Sequence, residues 1–169
     1  MIHRYAIGIG SNRRHGRWGR PEQVVKGAIA ALRDGDVGIV AVSPIIQTAP
    51  VGAARRRFAN AAMLVEASLS PNSLLALLKS VERAFGRRRG IRWGDRVLDL
   101  DILLWSGGRW ADRALLVPHP RLVARRFALD PLARIAPEWR ISGLGTVRQM
   151  TARLTRPRPA HRSGRRSGP

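Results

Sequence analysis

The chain has 169 residues, of which 31 are basic and 11 are acidic, so its formal net charge is +20. It contains no cysteine, which excludes disulfides, thiolate zinc sites and cysteine nucleophiles and fits a cytoplasmic protein. No apolar run reaches the roughly 18 residues that a membrane span requires, so we expect one globular domain that acts without a membrane.

The excess of basic residues is almost entirely arginine, since only Lys26 and Lys79 are lysines. The planar guanidinium suits phosphate recognition, and a strongly positive chain favours anionic partners. Heavy arginine use is also typical of a GC-rich genome. The charge alone therefore does not distinguish a nucleic-acid partner from a nucleotide substrate.

The first half of the chain predicts three strands and one helix. Pro21 stands where the first turn of a helix accepts proline, and Gly35 follows the last apolar residue of helical spacing. Pro44 lies inside a β-rich stretch and indicates an edge strand or a bend. The predicted strands cover residues 4–10, 37–46 and 61–69, and the predicted helix covers residues 21–32.

The second half begins with the strongest helix signal of the chain. Ser70 is a suitable N-cap, Pro71 occupies the first helical position, and Gly86 follows the last apolar position. Residues 156–169 contain no acid and no periodic apolar residue, which predicts a disordered basic tail. The other predicted elements are a strand over residues 97–105, a helical piece over residues 121–135 and a last helix over residues 146–154.

The order of these elements, β-α-β-β-α-β, is the signature of the ferredoxin-like split βαβ arrangement. We therefore predict an α+β fold, a sandwich in which helices pack on an antiparallel-rich sheet. The predicted domain spans residues 1–155, with the basic tail outside it.

The strand that follows the central arginines carries two aspartates, Asp99 and Asp101. Because side chains alternate along a strand, both carboxylates share one face, while Leu98, Leu100 and Ile102 share the other. Aspartate is disfavoured in strands, and two carboxylates side by side repel each other. One interpretation is a solvated face whose aspartates pair with arginines. The other is a carboxylate pair that holds Mg²⁺ together with phosphate oxygens.

The segment before this strand, residues 86–96, favours the second interpretation. It is rich in arginine and glycine and contains Trp93. A run of charge is most often a solvated surface, but phosphoryl transfer requires metal and arginines around negative charge, with water excluded by a mobile loop. Its arginines are Arg87, Arg88, Arg89, Arg92 and Arg96.

Two further motifs leave their alternatives open. Gly8-Ile9-Gly10 after the first strand is similar to a phosphate loop but lacks a third glycine, so a tight turn is the other interpretation. His119 lies between two prolines and is either structural or a ligand. No P-loop motif and no nucleophile elbow is present in the sequence.

Taken together, motifs between residue 5 and about residue 138 closely resemble the family of 6-hydroxymethyl-7,8-dihydropterin pyrophosphokinases. The run from Arg96 to Ile102 and the later P-H-P-R…F-x-L-x-P-L pattern are the most specific of them. The other matching motifs are Ile9-Gly10-Ser11-Asn12, Thr48-Ala49-Pro50-Val51-Gly52, Phe58-Ala59-Asn60-Ala61, Glu82, Arg92-Trp93-Gly94 and Ile135-Ala136-Pro137.

The resemblance implies a transferase that moves the β,γ-pyrophosphoryl unit of ATP to a pterin alcohol and releases AMP. It implies that Asp99 and Asp101 hold two Mg²⁺ ions and that Asp101 also orients or deprotonates the attacking hydroxyl. Charge on the transferring group would be neutralised by Arg87 and Arg96. The implied ATP contacts are Glu82, Arg89, Trp93, Ile102, His119 and Arg125.

For the pterin, the resemblance implies a slot between two aromatic faces, Phe58 and Phe127, in which Asn60 reads the amide edge of the ring. The other implied pterin contacts are Gly10, Thr48, Val51 and Trp93. The implied partners are thus ATP and hydroxymethyl-dihydropterin, with no membrane and no specific nucleic acid, and we expect a monomer.

Some positions depart from the usual family pattern. Ala49 stands where proline is frequent, residues 13–20 form a longer and more basic stretch, and residues 87–92 are about one residue short. The main catalytic arginine among Arg87, Arg88 and Arg89 therefore stays open.

Two alternatives to an enzyme fit the sequence less well. A basic ferredoxin-like module that binds nucleic acid would be expected to carry an aromatic run of the RNA-recognition type on its sheet, and none is present. A catalytically inactive relative retained for protein interaction is disfavoured by the intact pair Asp99 and Asp101.

Overall fold

The computed structural model describes residues 1–35, 37–50, 56–86 and 96–155. The strands are β1 (His3–Ser11), β2 (Gly38–Val42), β3 (Ile46–Thr48), β4 (Phe58–Ala67), β5 (Asp99–Trp105), β6 (Trp110–Ala111), β7 (Leu116–Val117), β8 (Arg140–Ile141) and β9 (Gly145–Thr146). The helices are α1 (Pro21–Arg33), α2 (Pro71–Ala84), α3 (Arg126–Ile135) and α4 (Val147–Thr155), with a 3₁₀ turn over Leu122–Ala124.

The main sheet has the strand order β2-β4-β1-β5, with β3 also paired to β4, and every one of these pairings is antiparallel. β2 and β3 follow one another along β4 and together occupy one strand position. The predicted bend at Pro44 separates them, and the hydroxyl of Ser43 accepts a hydrogen bond from the Ala62 amide at 2.9 Å in the gap. This order is that of a ferredoxin-like sheet, so the predicted fold class is confirmed.

Helices cover both faces of the sheet, and the alternation of side chains in β1 shows why. Tyr5, Ile7 and Ile9 are buried against α1 and α2, whereas Ala6 is buried on the opposite face with α3 and α4. Each buried Ile or Leu contributes roughly 1.5–3 kcal/mol relative to an exposed one. Two apolar layers therefore hold the sheet between them. In the described ranges, no helix combines the length and apolar character needed to cross a membrane.

Helix α2 begins as its sequence predicts. Ser70 is the N-cap, its hydroxyl accepts a hydrogen bond from the Ser73 amide, and Pro71 is the first helical residue. The helix ends at Ala84, and Gly86 follows with a φ of 73°, a left-handed conformation that favours glycine. These local signals set the two ends of α2.

The predicted helical piece over residues 121–135 is not one helix. A 3₁₀ turn over Leu122–Ala124 is separated from α3 by Arg125, which has extended backbone angles (φ −121°, ψ 98°). Apolar spacing continues through the break, because Leu122 and Leu129 both belong to the same buried cluster. Apolar periodicity therefore does not predict the bend at Arg125, and this bend sets the direction of the Arg125 side chain.

Residues 12–20 pack on α1 and the end of α2 through Trp18, which stacks on Phe85 with ring centroids 5.2 Å apart. Gly27 of α1 permits this, since a Cβ atom there would lie 2.7 Å from Cε3 of Trp18. We expect Gly27→Ala to destabilise the protein, because overpacking typically costs about 1–3 kcal/mol and outweighs a gain of about 1 kcal/mol in helix propensity.

Urea unfolding measures this effect, and the control is the same substitution in a Trp18→Ala background. Without the indole, Gly27→Ala should stabilise α1, so the sign of the change should reverse. A loss of equal size in both backgrounds would show that the Trp18 contact is not the cause.

Candidate active site

A cavity of about 940 Å³ lies on the sheet face that carries α3. Its floor is formed by β1 and β5, and its walls by the ends of β3 and β4 and by residues 119–128. Ten of the residues predicted to form the site line it: Gly10, Thr48, Phe58, Asn60, Arg96, Asp99, Asp101, His119, Arg125 and Phe127.

The floor of this cavity is made by glycines inside β1. Gly8 pairs with Ala62 on one side and Asp101 on the other, and Gly10 pairs with Asn60 and Asp99. A Cβ atom at Gly10 would lie 3.1 Å from Oδ1 of Asn60. Both the phosphate-loop and the tight-turn interpretations of this motif are therefore wrong. These glycines are extended strand residues that keep side chains out of the cavity.

The two aspartates project from β5 into the cavity, as strand alternation predicts, while Leu98, Leu100 and Ile102 are buried on the other face. Arg96 and Asp99 form an ion pair with 2.7 Å between Nη1 and Oδ1. Burial raises the pKa of Asp101, and the neighbouring charge of Asp99 raises it further. A bound cation would offset both the burial of Asp101 and the repulsion between the two carboxylates, and so would stabilise their ionised forms.

No group of three or more His, Asp or Glu side chains suited to a metal ion occurs in the part of the chain that the structure describes. Among the described residues that line the cavity, Asp99 and Asp101 are the carboxylates. Magnesium in phosphate-transfer sites typically uses one or two carboxylates and takes its remaining ligands from substrate phosphates and water. The donor set therefore fits Mg²⁺ only as a complex with a phosphate-bearing substrate.

His119 closes one wall of the cavity beside Asp101. Its backbone amide donates to the Leu103 carbonyl at 2.9 Å, and its Nδ1 accepts from the Arg121 amide at 3.1 Å. The ring proton is thereby assigned to Nε2, which lies 3.9 Å from Oδ2 of Asp101. Burial lowers the pKa of His119, against an opposing effect of Asp101. The histidine thus offers a neutral N–H donor near the carboxylates.

Arg125 enters the cavity because of the break between the 3₁₀ turn and α3. Its guanidinium carbon lies 5.4 Å from the ring centroid of Phe127. Burial lowers the pKa of Arg125, and Asp101 opposes that shift. An arginine with an ordinary pKa above 12 stays charged, so a partly desolvated cation faces the aspartates.

At the other end of the cavity, Asn60 is 5% exposed and its amide nitrogen donates to the Thr48 hydroxyl at 2.8 Å. The pairing of β3 with β4 creates this contact. Thr48 lies opposite Phe58, and Asn60 follows two residues later on the same face of β4. Gly10, Phe58 and Phe127, which are also predicted pterin contacts, line the same cavity as this polar pair. Such a combination suits a flat heterocycle.

Some predicted residues lie elsewhere. Among the described residues, Glu82 and Ile102 are buried and do not line the cavity, so their nucleotide contacts stay predictions. Val51, Arg87, Arg89 and Trp93 lie outside the described residues, as does the predicted tail. Arg121 and Arg126 line the cavity and were not predicted, although Arg121 belongs to the P-H-P-R motif that could have identified it.

Comparisons with known proteins identify relatives of this chain. A sequence profile described as 7,8-dihydro-6-hydroxymethylpterin-pyrophosphokinase (HPPK) matches residues 6–137. The chain is 38% identical over 150 residues to the 2-amino-4-hydroxy-6-hydroxymethyldihydropteridine pyrophosphokinase of Methylorubrum extorquens, covering 88% of this chain and 91% of that one. It is 39% identical over 143 residues to the protein of the same name from Pseudomonas aeruginosa, covering 83% and 85%.

Among solved structures, a Plasmodium falciparum HPPK-DHPS with pteroate superposes with a TM-score of 0.71 at 12% identity. The match covers 91% of this chain and 41% of that chain, so this protein spans about two fifths of the length of that relative. At this identity the likeness shows the fold alone. The profile match and the identities to the bacterial proteins show that the chain belongs to the 7,8-dihydro-6-hydroxymethylpterin-pyrophosphokinase family.

Proposed function

We propose that the chain transfers the pyrophosphoryl group of ATP to 6-hydroxymethyl-7,8-dihydropterin in folate synthesis. Family membership supports the reaction. The observation that carries the assignment is that one cavity holds both an aspartate pair among arginines and a polar-aromatic end. A small organic acceptor and a polyphosphate donor can therefore meet in one space.

The proposed reaction is an in-line displacement at the β-phosphorus of ATP. The hydroxymethyl oxygen of the pterin forms a bond to this phosphorus, and the bond from the phosphorus to the oxygen that bridges to the α-phosphorus breaks. AMP leaves with that oxygen, and the pterin diphosphate is the other product. The hydroxyl proton is released to Asp101 or to water, since burial and the neighbouring charge of Asp99 raise the pKa of Asp101.

Transition-state charge in this reaction lies on phosphate oxygens, so positioned cations supply most of the stabilisation. Arg96 pairs with Asp99, and Arg125 lines the same cavity. We assign both to the polyphosphate, together with Arg87 and Arg89 as the sequence predicts. His119 would donate its Nε2–H to a phosphate oxygen.

The proposed metal is Mg²⁺, held by Asp99 and Asp101, and two ions are expected. When bound, it neutralises phosphate charge and aligns the oxygens for displacement. Without it, Asp99 and Asp101 repel each other and the phosphates alike. Burial, and then the charge of Asp99, raise the pKa of Asp101. The two aspartates are therefore assigned as the metal ligands.

The proposed pterin slot uses Phe58 and Phe127 as faces and Asn60 as the group that reads the amide edge. Thr48 holds the Asn60 side chain through their 2.8 Å hydrogen bond. The Thr48–Asn60 pair, the glycines of β1 and the two aspartates line the same cavity. The hydroxymethyl group of the pterin can therefore extend along the glycines toward the aspartates. Gly10, Val51 and Trp93 complete the proposed contacts.

An assay with Mg²⁺, ATP and the reduced pterin alcohol tests the reaction. We expect AMP and pterin diphosphate in equal amounts, and no ADP. ADP formation, or absence of turnover, would contradict the proposal. A chain that ends at Thr155 should show the same turnover, because residues 156–169 are proposed to lie outside the catalytic domain.

No comparison supports the alternative of a nucleic-acid-binding module, and the matched family is enzymatic. We further propose that the enzyme acts as a monomer in the cytoplasm. Sedimentation of the purified chain checks the first of these statements, and fractionation of cells checks the second.

A further inference from the structure

Glu82 is a carboxylate buried on α2, 1% exposed, at the open edge of the sheet. Its Oε1 accepts a hydrogen bond from the Leu100 amide at 2.8 Å. The ammonium group of Lys79, one helical turn earlier, donates to the same oxygen at 2.9 Å and to the Leu100 carbonyl at 3.4 Å. Two side chains of α2 thus bind both backbone groups of one residue in β5.

Among the described residues, β5 is the last strand on its side of the sheet, and an edge strand presents backbone groups without a strand partner. Lys79 and Glu82 take the place of that missing strand at Leu100. We call these two residues the edge clamp. The backbone of Leu100 offers one N–H and one C=O, so binding both requires one acceptor and one donor. Glu82 and Lys79 supply these and also form an ion pair with each other.

The clamped residue lies between the two proposed metal ligands. Leu100 is buried among the side chains between the sheet and α2, so Asp99 and Asp101 point to the other face on either side of it. Their carboxylates repel each other, and the pairing of β5 with β1 shifts register just beyond, at Ala6 and Ile7. Without a partner on its outer edge, this part of β5 would be free to twist and separate the carboxylates.

The ion pair also limits the charge near the site. A buried carboxylate without a cation would add a third negative charge behind the aspartates, and Lys79, 2.9 Å from Oε1 of Glu82, supplies that cation. The ion pair therefore lets a carboxylate bind the Leu100 amide while limiting the negative charge near the site.

We propose that Lys79 and Glu82 are positioning residues that hold Asp99 and Asp101 at the separation required for binding a metal–nucleotide complex. The inference rests on the proposed role of the aspartates. It differs from the direct nucleotide contact that the sequence predicts for Glu82, whose Oε1 is already engaged by Leu100 and Lys79. A positioning role predicts a loss of nucleotide affinity only when the metal is present. A direct nucleotide contact predicts the same loss with and without the metal.

The test compares Glu82→Gln and Lys79→Gln with the native protein by calorimetric titration of a non-hydrolysable ATP analogue, with Mg²⁺ and with EDTA. Misplaced ligands should weaken binding in Mg²⁺ by roughly 10- to 100-fold, the usual effect of groups that orient metal ligands. Affinity in EDTA should change by no more than about twofold, and kcat should fall without a rise in the KM of the pterin. Titration with Mn²⁺ in the presence of the analogue should show the same loss.

Matched controls are Glu66→Gln and Lys26→Gln. Glu66 pairs with Arg4 away from the cavity, and Lys26 is an exposed residue of α1. Neither control should alter metal-dependent affinity. Lys79→Arg keeps the charge and the donors and should restore most of the affinity lost in Lys79→Gln.

Equal loss of affinity with Mg²⁺ and with EDTA would show a direct nucleotide contact and overturn the positioning role. Unchanged affinity in both conditions would also overturn it. About a third of the Lys79 side chain is exposed, so Lys79→Gln should unfold less readily than Glu82→Gln. If Glu82→Gln melts below the assay temperature, Lys79→Gln still gives the result. If the native protein forms no AMP, the reaction proposal fails, yet the metal dependence of binding still decides the clamp.

Discussion

Replacing Asp101 with asparagine is expected to lower AMP formation by about 100- to 1,000-fold or more, the usual cost of removing a group that stabilises transition-state charge. The substitution keeps the size of the side chain and removes its charge. Asp101 lines the cavity beside His119 and opposite Gly8, so a neutral amide there loses the metal ligand without filling the space. Single-turnover measurement of AMP gives the loss directly. Retention of more than about a tenth of native activity would exclude the metal assignment.

The same variant should melt at a higher temperature than the native protein at pH 7. Burial, and then Asp99, raise the pKa of Asp101. A raised folded-state pKa gives stability that is present below the unfolded pKa and lost as pH rises through the folded value. At pH 7 the ionised carboxylate therefore costs stability, and asparagine removes that cost. Because the side chain is 35% exposed, solvent screening limits the gain to roughly 1 kcal/mol or less.

Asp112→Asn is the control of opposite sign. Hydrogen bonds from Asn72, Trp110 and two backbone amides lower the pKa of Asp112 to about 2. Its charged form therefore stabilises the fold at pH 7, and this variant should melt at a lower temperature. Thermal unfolding at pH 7, near pH 4 and near pH 2 measures both differences. The gain of Asp101→Asn should shrink by pH 4, whereas the loss of Asp112→Asn should remain at pH 4 and shrink only as the pH falls through the folded pKa of about 2. Equal shifts of one sign would show that the carboxyl environments are not the cause.

The second large effect is expected for Arg125→Met, which keeps an apolar stem and removes the cation. We expect kcat/KM for ATP to fall by about 100- to 1,000-fold, because a desolvated guanidinium that neutralises phosphate charge cannot be replaced by water. Arg125 is partly buried, which lowers its pKa, and it lies near Arg96, Arg121 and Asp101. Steady-state kinetics with varied ATP measures the effect.

Arg134→Met is the matched control, since Arg134 is an exposed residue of α3, the helix that follows Arg125. Loss of a general attraction between a protein of charge +20 and ATP would affect both variants alike and would vanish at high salt. A contact made by Arg125 alone should persist in 0.5 M salt. Similar losses in the two variants would remove the specific role of Arg125.

The strand with the aspartates shows how far local pattern can predict a site. Alternation of side chains is a property of extended backbone, so the common face of Asp99 and Asp101 followed from the sequence. The cap of α2 at Ser70 and the bend at Pro44 were equally predictable, because a hydroxyl and a proline ring act on their immediate neighbours. The family motifs then identified the substrates.

Other features depended on contacts between residues far apart in sequence. Gly8 and Gly10 were interpreted as a loop or turn, but β4 and β5 pair with them from both sides and hold them extended. Likewise, the helical spacing of residues 121–135 conceals the break at Arg125. Apolar periodicity reports burial, and two short helices on one core bury the same positions as one long helix.

By itself, the sequence determined the β-α-β-β-α-β order of the main sheet and its first two helices, the shared face of Asp99 and Asp101, and the family to which the chain belongs. These depend on properties that neighbouring residues share: periodicity, capping and motif spacing. Only the tertiary structure decided that glycines form the cavity floor, that Arg125 enters the cavity, and that Glu82 binds the Leu100 backbone. Each of those results requires hydrogen bonds or packing across the sheet, and such contacts have no fixed spacing along the chain.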